Sequence, residues 1–201
     1  MKKILLVILS AFLINDAFSQ NSDTRFENRK TNGYYNLTQI ALLMGNYNFG
    51  GYYTAPRADF QIAPSLTMTN GYMFNEKVAA GIGVGYEIFD RNLFPVFLDI
   101  RRTVWDNKVS PFFAVKTGYA FSGFKEIYYD WGTKIKKYGG FMFNPEMGVK
   151  APLSADADLL FTVAYRHQKT KSIGRTHNSS QIWEQEASMN RISFGIAIMF
   201  R

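Results

Sequence analysis

The sequence predicts an all-β fold, an eight-stranded antiparallel transmembrane up-and-down β-barrel, and three observations carry that expectation. The final stretch, Ser188 to Arg201, alternates strictly. Ile192, Phe194, Ile196, Ile198 and Phe200 fall on one face of an extended strand, and Arg191, Ser193, Gly195, Ala197 and Met199 on the other. Successive strand side chains point to opposite faces, so one wall is wholly apolar and the other small or polar apart from Met199. Alternation of this kind recurs in six segments upstream and a further extended segment precedes them, which makes eight strands, an even total, as a bacterial single-chain barrel requires. The aromatic content is 16%, with 18 Phe and 12 Tyr, yet the region after the N-terminus has no apolar run of about 18 residues or more. Membrane-spanning strands account for both facts.

The chain opens with Lys2 and Lys3, an apolar run from Ile4 to Ile14 and a small-residue exit at Ala17-Phe18-Ser19. That is the three-part form of a secretory signal, read here as residues 1–20, and it implies export. Asn21 to Asn32 is polar and aperiodic, a short periplasmic leader, and residues 33–201 form the barrel.

The first strand, Tyr34 to Asn46, carries Tyr35, Leu37, Ala41 and Leu43 on one side and Ile40, Leu42 and Met44 on the other, so its faces are not separable by hydropathy. A Tyr- and Gly-rich loop runs from Tyr47 to Arg57. The second, Asp59 to Phe74, sets Phe60, Ile62, Leu66 and Met68 against Gln61, Ala63, Ser65, Thr67 and Thr69. After the Asn75-Glu76 turn, the third, Lys77 to Phe89, points Val78, Ala80, Ile82, Val84, Tyr86 and Ile88 outward. Ala79, Gly81, Gly83, Gly85 and Glu87 face inward, and such small residues suit a crowded inner wall.

The fourth, Leu93 to Trp105, places Phe94, Val96, Leu98 and Ile100 outside and Phe97, Asp99, Arg101 and Thr103 inside. The fifth, Val109 to Phe121, sets Phe113, Val115, Thr117, Tyr119 and Phe121 against Ala114, Lys116, Gly118 and Ala120. A loop spans Ser122 to Lys137. The sixth, Tyr138 to Lys150, opposes Phe141, Phe143, Met147 and Val149 to Met142, Asn144, Glu146, Gly148 and Lys150. The seventh, Ala157 to Gln168, opposes Leu159, Phe161, Val163 and Tyr165 to Leu160, Thr162, Ala164 and Arg166. A polar loop, Lys169 to Ala187, precedes the closing strand.

The connections sort by length. Those after strands two, four and six are short, and three of the other four are long, which matches short periplasmic turns and longer external loops. Pro64 and Pro145 oppose the pattern, since each removes a ladder hydrogen bond and calls for a bulge or a rim position. Tyr34, Tyr86, Trp105, Tyr119, Tyr138 and Tyr165 near strand ends read as interfacial girdles.

The formal charge is +7, falling to +6 without Lys2, Lys3 and Asp16, and its basic residues are scattered. Export and scattering exclude nucleic acid as a partner and favour anionic lipid or lipopolysaccharide headgroups. With no cysteine, the exported chain has no disulfide, thiolate metal site or cysteine nucleophile.

Among candidate sites, the inward register collects Glu87, Asp99, Arg101, Lys116, Glu146, Lys150, Arg166 and Arg191. In so narrow a lumen these read as a charge-paired plug, with a proton or small-solute path as the alternative. The two histidines, His167 and His177, lack further ligands at a recognisable spacing, so no metal and no cofactor is expected. His177 and Ser179, with Glu184 or Glu186 downstream, are the one constellation suited to acyl chemistry, base, nucleophile and orienting carboxylate. This His-x-Ser spacing resembles that of the outer-membrane lipid A 3-O-deacylases, although here it lies in a polar loop and Ser180-Gln181 stands where that family has Asn-Ala. Tyr128, Tyr129 and Trp131 offer a carbohydrate-stacking alternative in the Ser122 to Lys137 loop.

The signal ending in Phe18-Ser19-Gln20, the segment Asn144 to Gln168 and the terminal NRISFGIAIMF together resemble small outer membrane β-barrel proteins of the Bacteroidetes type, similar in size to the OmpX and OmpW-like groups. The resemblance implies an outer membrane location and handling by the barrel assembly machinery, with Phe200 in the assembly-signal position and Arg201 as a departure after it. It implies no particular activity. The reading is thus a non-enzymatic barrel, structural or binding an unidentified extracellular ligand through its loops. A lipid-modifying acyl hydrolase, a narrow channel for small or apolar solutes and a soluble lipocalin-type barrel are the alternatives.

Overall fold

The computed structural model describes residues 30–49, 57–88, 92–104, 109–123, 127–128, 134–175 and 182–201. Among the described residues there are ten strands: β1 (Gly33–Phe49), β2 (Arg57–Met73), β3 (Val78–Glu87), β4 (Leu93–Thr103), β5 (Ser110–Ser122), β6 (Ile127–Tyr128), β7 (Lys134–Tyr138), β8 (Gly140–Pro152), β9 (Ala157–Arg175) and β10 (Ile182–Phe200). Each of the eight long strands pairs antiparallel with its neighbours in the order β1-β2-β3-β4-β5-β8-β9-β10, and β10 pairs back onto β1 from Asn36↔Phe200 to Asn48↔Ser188. The sheet therefore closes as an eight-stranded antiparallel barrel.

β7 continues the wall of β8. Tyr138 faces Lys171 and Met142 faces Gln168, so three residues oppose two and the strand bulges at Gly139-Gly140. A Cβ on Gly139 would enter the carbonyl of Ala120, and one on Gly140 the carbonyl of Lys169, so the close approach at the bulge requires both glycines. β6 folds back on β7 as a short hairpin.

Two long loops shrink. The stretch Lys169 to Ala187, read from sequence as a loop, is mostly strand: β9 runs on to Arg175, and β10 begins at Ile182, directly opposite it. Within Ser122 to Lys137, β6 and β7 are likewise strand. The reason is chemical. Beyond Tyr165 and Ile192 the outward positions become His167, Lys169 and Lys171 on β9 and Asn190, Ser188, Glu186 and Glu184 on β10, while Thr170 and Ser172 face inward. Both faces of β9 are polar there, and on β10 Ala187 and Met189 face inward behind a polar outer row, so the apolar-outward alternation disappears although the backbone ladder continues.

The prolines sit where the ladder is missing. Ile88 N donates to Pro64 O at 3.0 Å, so the polar edge of Pro64 faces β3 just past that strand's last pair, Ser65↔Glu87. Pro145 falls in a gap between the Phe143↔His167 and Glu146↔Ala164 pairs of β8 and β9. Pro95 falls in a similar gap between Val84↔Val96 and Glu87↔Leu93. Neither a bulge nor a strand terminus is needed at Pro145, because two rungs are simply absent around it.

The faces are inverted relative to a soluble protein. Phe200, Ile198, Ile196, Phe194 and Ile192 point outward and are exposed, as are Ile40, Leu66, Ile82, Leu98, Val115 and Phe161 around the wall. The inside is polar in its middle and apolar at the end carrying Gly33 and Phe200, where Tyr35, Leu37, Met73, Phe112, Leu160 and Met199 pack together. This plug resolves the faces of β1: Tyr35, Leu37, Gln39, Ala41 and Leu43 are buried inside, and both faces read as apolar because the lumen is apolar at that level.

Candidate functional site in the barrel lumen

Strand parity delivers the charges to the lumen. On β4, Asp99 and Arg101 are two apart and share the inward face, and Asp99 is paired in register with Lys116 on β5. The Lys116 ammonium lies 2.8 Å from Glu146 Oε2, on neighbouring β8, and donates to Gln39 Oε1. Gln39 Nε2 donates in turn to Glu146 Oε2 at 3.0 Å and to Thr162 Oγ1 at 2.8 Å. Because β1 and β5 stand on opposite sides of the barrel, the Gln39–Lys116 bond crosses the lumen. Arg101 pairs with Asp99 and lies 5.9 Å from the Tyr35 ring centroid and 5.8 Å from that of Phe112. It stands as a cation over the apolar plug.

A second cluster lies further from the termini. Glu87 on β3 is completely buried, forms an ion pair with Arg166 on β9 at 2.7 Å and accepts from Arg191 on β10 at 3.3 Å. Gln168 Oε1 accepts from Arg191 at 2.8 Å and from Arg166 at 3.4 Å. β3 and β9 are also diametrically opposed, so the Glu87–Arg166 pair spans the lumen. Two guanidinium groups thus share one carboxylate here, whereas the Asp99, Arg101, Lys116 and Glu146 charges balance.

Of the inward charges expected from sequence, these seven form the two clusters. Lys150 is only half-buried, near the end carrying the termini, where its ammonium donates to Thr103 Oγ1 at 3.4 Å. Three further members are absent from the sequence reading. Gln39 lies on the strand whose faces hydropathy did not separate, and Gln168 shares the inward parity of Arg166 at the end of the assigned segment. Asp158, fully buried, pairs with Arg201 beside the seam, and Arg201 N donates to Asp156 O at 2.9 Å. Asp158 falls within the seventh predicted strand, ahead of Leu160, the first inward residue named there.

His177 and Ser179 lie outside the described residues, as do Trp105, Tyr129 and Trp131. Glu184 stands on β10, on the outer wall, and pairs with Lys171 at 2.7 Å. That hydrogen bond holds the Lys171 ammonium above the usual lysine range. His167 also faces outward, its Nδ1 2.8 Å from Asn190 Oδ1. Among the described residues no three His, Cys, Asp or Glu side chains gather as a metal would need. Phe200 points outward, half exposed, at the last rung of β10.

Two solved structures share this fold. The chain superposes on the outer membrane protein OprG from Pseudomonas aeruginosa with a TM-score of 0.58 at 13% identity, covering 87% of this chain and 99% of that one. It superposes on Neisserial surface protein A with a TM-score of 0.51 at 11% identity, covering 82% and 97%. At such identities the likeness is one of fold. No family model matches the sequence, and no curated protein does.

Proposed function

We propose that the chain is a non-enzymatic outer membrane β-barrel whose wall sits in lipid, whose lumen is closed by its two charge clusters, and whose external end meets ligands or partners. The observation that carries this reading is the inversion of faces. The row from Phe200 to Ile192 is apolar and exposed, and the buried residues behind it include Arg191 and Ser193. Its eight residue steps cover about 27 Å of strand, or about 20 Å of height at a ~40° tilt, close to the band such barrels present to a bilayer. The short connections then face the periplasm.

At the opposite end the wall is uneven. β9 and β10 have 19 residues each and β3 has 10, so one side of the barrel stands taller and carries the polar outer positions of β9 and β10. This raised sheet, extended by β7 and β6, is the surface we assign to external contacts, with outer-leaflet lipopolysaccharide beside it. Contacts across the lumen at two levels favour a plug over a channel. The outward Phe200 suits recognition by the barrel assembly machinery, and the likeness to Bacteroidetes-type barrels accords with this.

The test is fractionation of cells followed by cold and boiled electrophoresis of the outer membrane fraction. Heat-modifiable migration is the expected result. Recovery in the periplasm or medium without detergent would overturn the reading, because the outward apolar rows would then have to be covered by protein.

A further inference from the structure

The end of the barrel carrying the termini holds a small cavity, and Arg101 of the first charge cluster stands on its wall. Its volume is about 20 Å³, room for one or two water-sized groups. Three cationic side chains, Arg101, Lys150 and Lys77, line it, and Glu76 is its one acidic residue. The remaining wall is largely apolar, with Met73, Phe112, Leu160 and Met199.

Arg101 is the informative member. Its side chain is more than nine-tenths buried, and one Nη is committed to Asp99. Nε and the other Nη, both buried, donate to no acceptor among the described residues. A buried guanidinium with unused donors costs free energy until an acceptor reaches it. The rim is preorganised: Asn75 Oδ1 accepts from Lys77 N at 2.9 Å and from Val78 N at 2.8 Å, which pins the turn carrying Lys77. The site thus offers two buried guanidinium donors and an apolar wall in a volume that admits a single small group.

We infer that this cavity binds a carboxylate, either a small free carboxylate or the carboxylate end of a larger periplasmic molecule, with Arg101 at its inner end and its apolar portion against Met73 and Phe112. A carboxylate matches the guanidinium fork in size and charge and supplies the acceptors that Nε and Nη lack. Placement on the periplasmic side rests on the membrane reading above, whereas binding does not.

The full chain, refolded in detergent micelles and checked for heat-modifiable migration, is titrated with sodium acetate and sodium butyrate at constant ionic strength. Arginine Nε–H resonances are followed by NMR. A saturable shift of one resonance is expected, and Arg101→Lys should remove that resonance and weaken binding about tenfold or more, as loss of a charge-assisted hydrogen bond does. Ala79→Leu fills the cavity while leaving every charged residue in the sequence, and should abolish saturation while preserving heat-modifiability. A linear, non-saturating response in the unaltered chain overturns the proposal, as does an undiminished response in Ala79→Leu. Tighter binding of a carboxylate-bearing polymer than of acetate identifies a chain end as the ligand, and equal binding identifies a free small molecule. A chain that never becomes heat-modifiable fails the barrel reading instead, separately from the site.

Discussion

Glu87 and Arg166 meet at 2.7 Å across the full width of the barrel, from strands that stand opposite one another in the wall. Arg191 reaches the same carboxylate, so one negative charge holds two buried positive ones. Replacing Glu87 by Gln removes the carboxylate that both buried guanidinium groups meet. The expected cost is about 3–5 kcal/mol of stability, read as a lower urea midpoint for unfolding from lipid vesicles. An unchanged midpoint would mean that the cluster is hydrated in the folded barrel.

Lys116 and Glu146 should behave as a coupled pair. Each single change, Lys116→Met or Glu146→Leu, strands a buried charge, whereas the double variant removes both and leaves Gln39 bonded to Thr162. The double variant is expected to be more stable than either single one. A double-mutant cycle in the same vesicle assay measures the coupling, and additive effects would argue that Gln39 rather than the ion pair holds that level together.

The outer wall supplies a depth test. Ile196 lies midway along the apolar row of β10, and Ile196→Arg is expected to destabilise the barrel in a bilayer by roughly 2–4 kcal/mol. Ser188→Arg, on the same face but beyond the row, should have little effect. Equal effects at the two positions would remove the support for a bilayer around that band.

At the bulge, Gly139→Ala drives a methyl group into the Ala120 carbonyl, a backbone atom that cannot step aside. Tyr119 Oη also donates to Gly139 O at 3.0 Å, so the bulge is held from the outer face. Loss of heat-modifiable migration at a temperature the unaltered barrel survives is the expected result. A normal profile would show that β7 and β8 realign without the bulge.

Much of the fold was legible because a membrane barrel writes its geometry into hydropathy. Wherever one face meets lipid and the other a polar lumen, as on β3, β4, β5 and β10, period-two alternation assigns the side chains directly. β1 resisted this because Tyr35 and Leu37 enter an apolar plug, and the outer reaches of β9 and β10 resisted it because their outward rows turn polar. Proline was a poor guide as well, since Pro64 and Pro145 mark gaps in pairing between neighbouring strands, a property of two chain segments and not of one.

By itself the sequence determined the number of wall strands and, on the strands that alternate, their outward rows, because both depend only on local alternation. The tertiary structure alone decided which of those charges meet. Glu87 is nearly eighty residues from Arg166 in the chain and opposite it in the wall, and register and closure bring the two together. The same closure placed Gln39 between Lys116 and Glu146 and left Arg101 with unused donors beside a cavity, since lumen contacts depend on how eight strands are staggered around one axis.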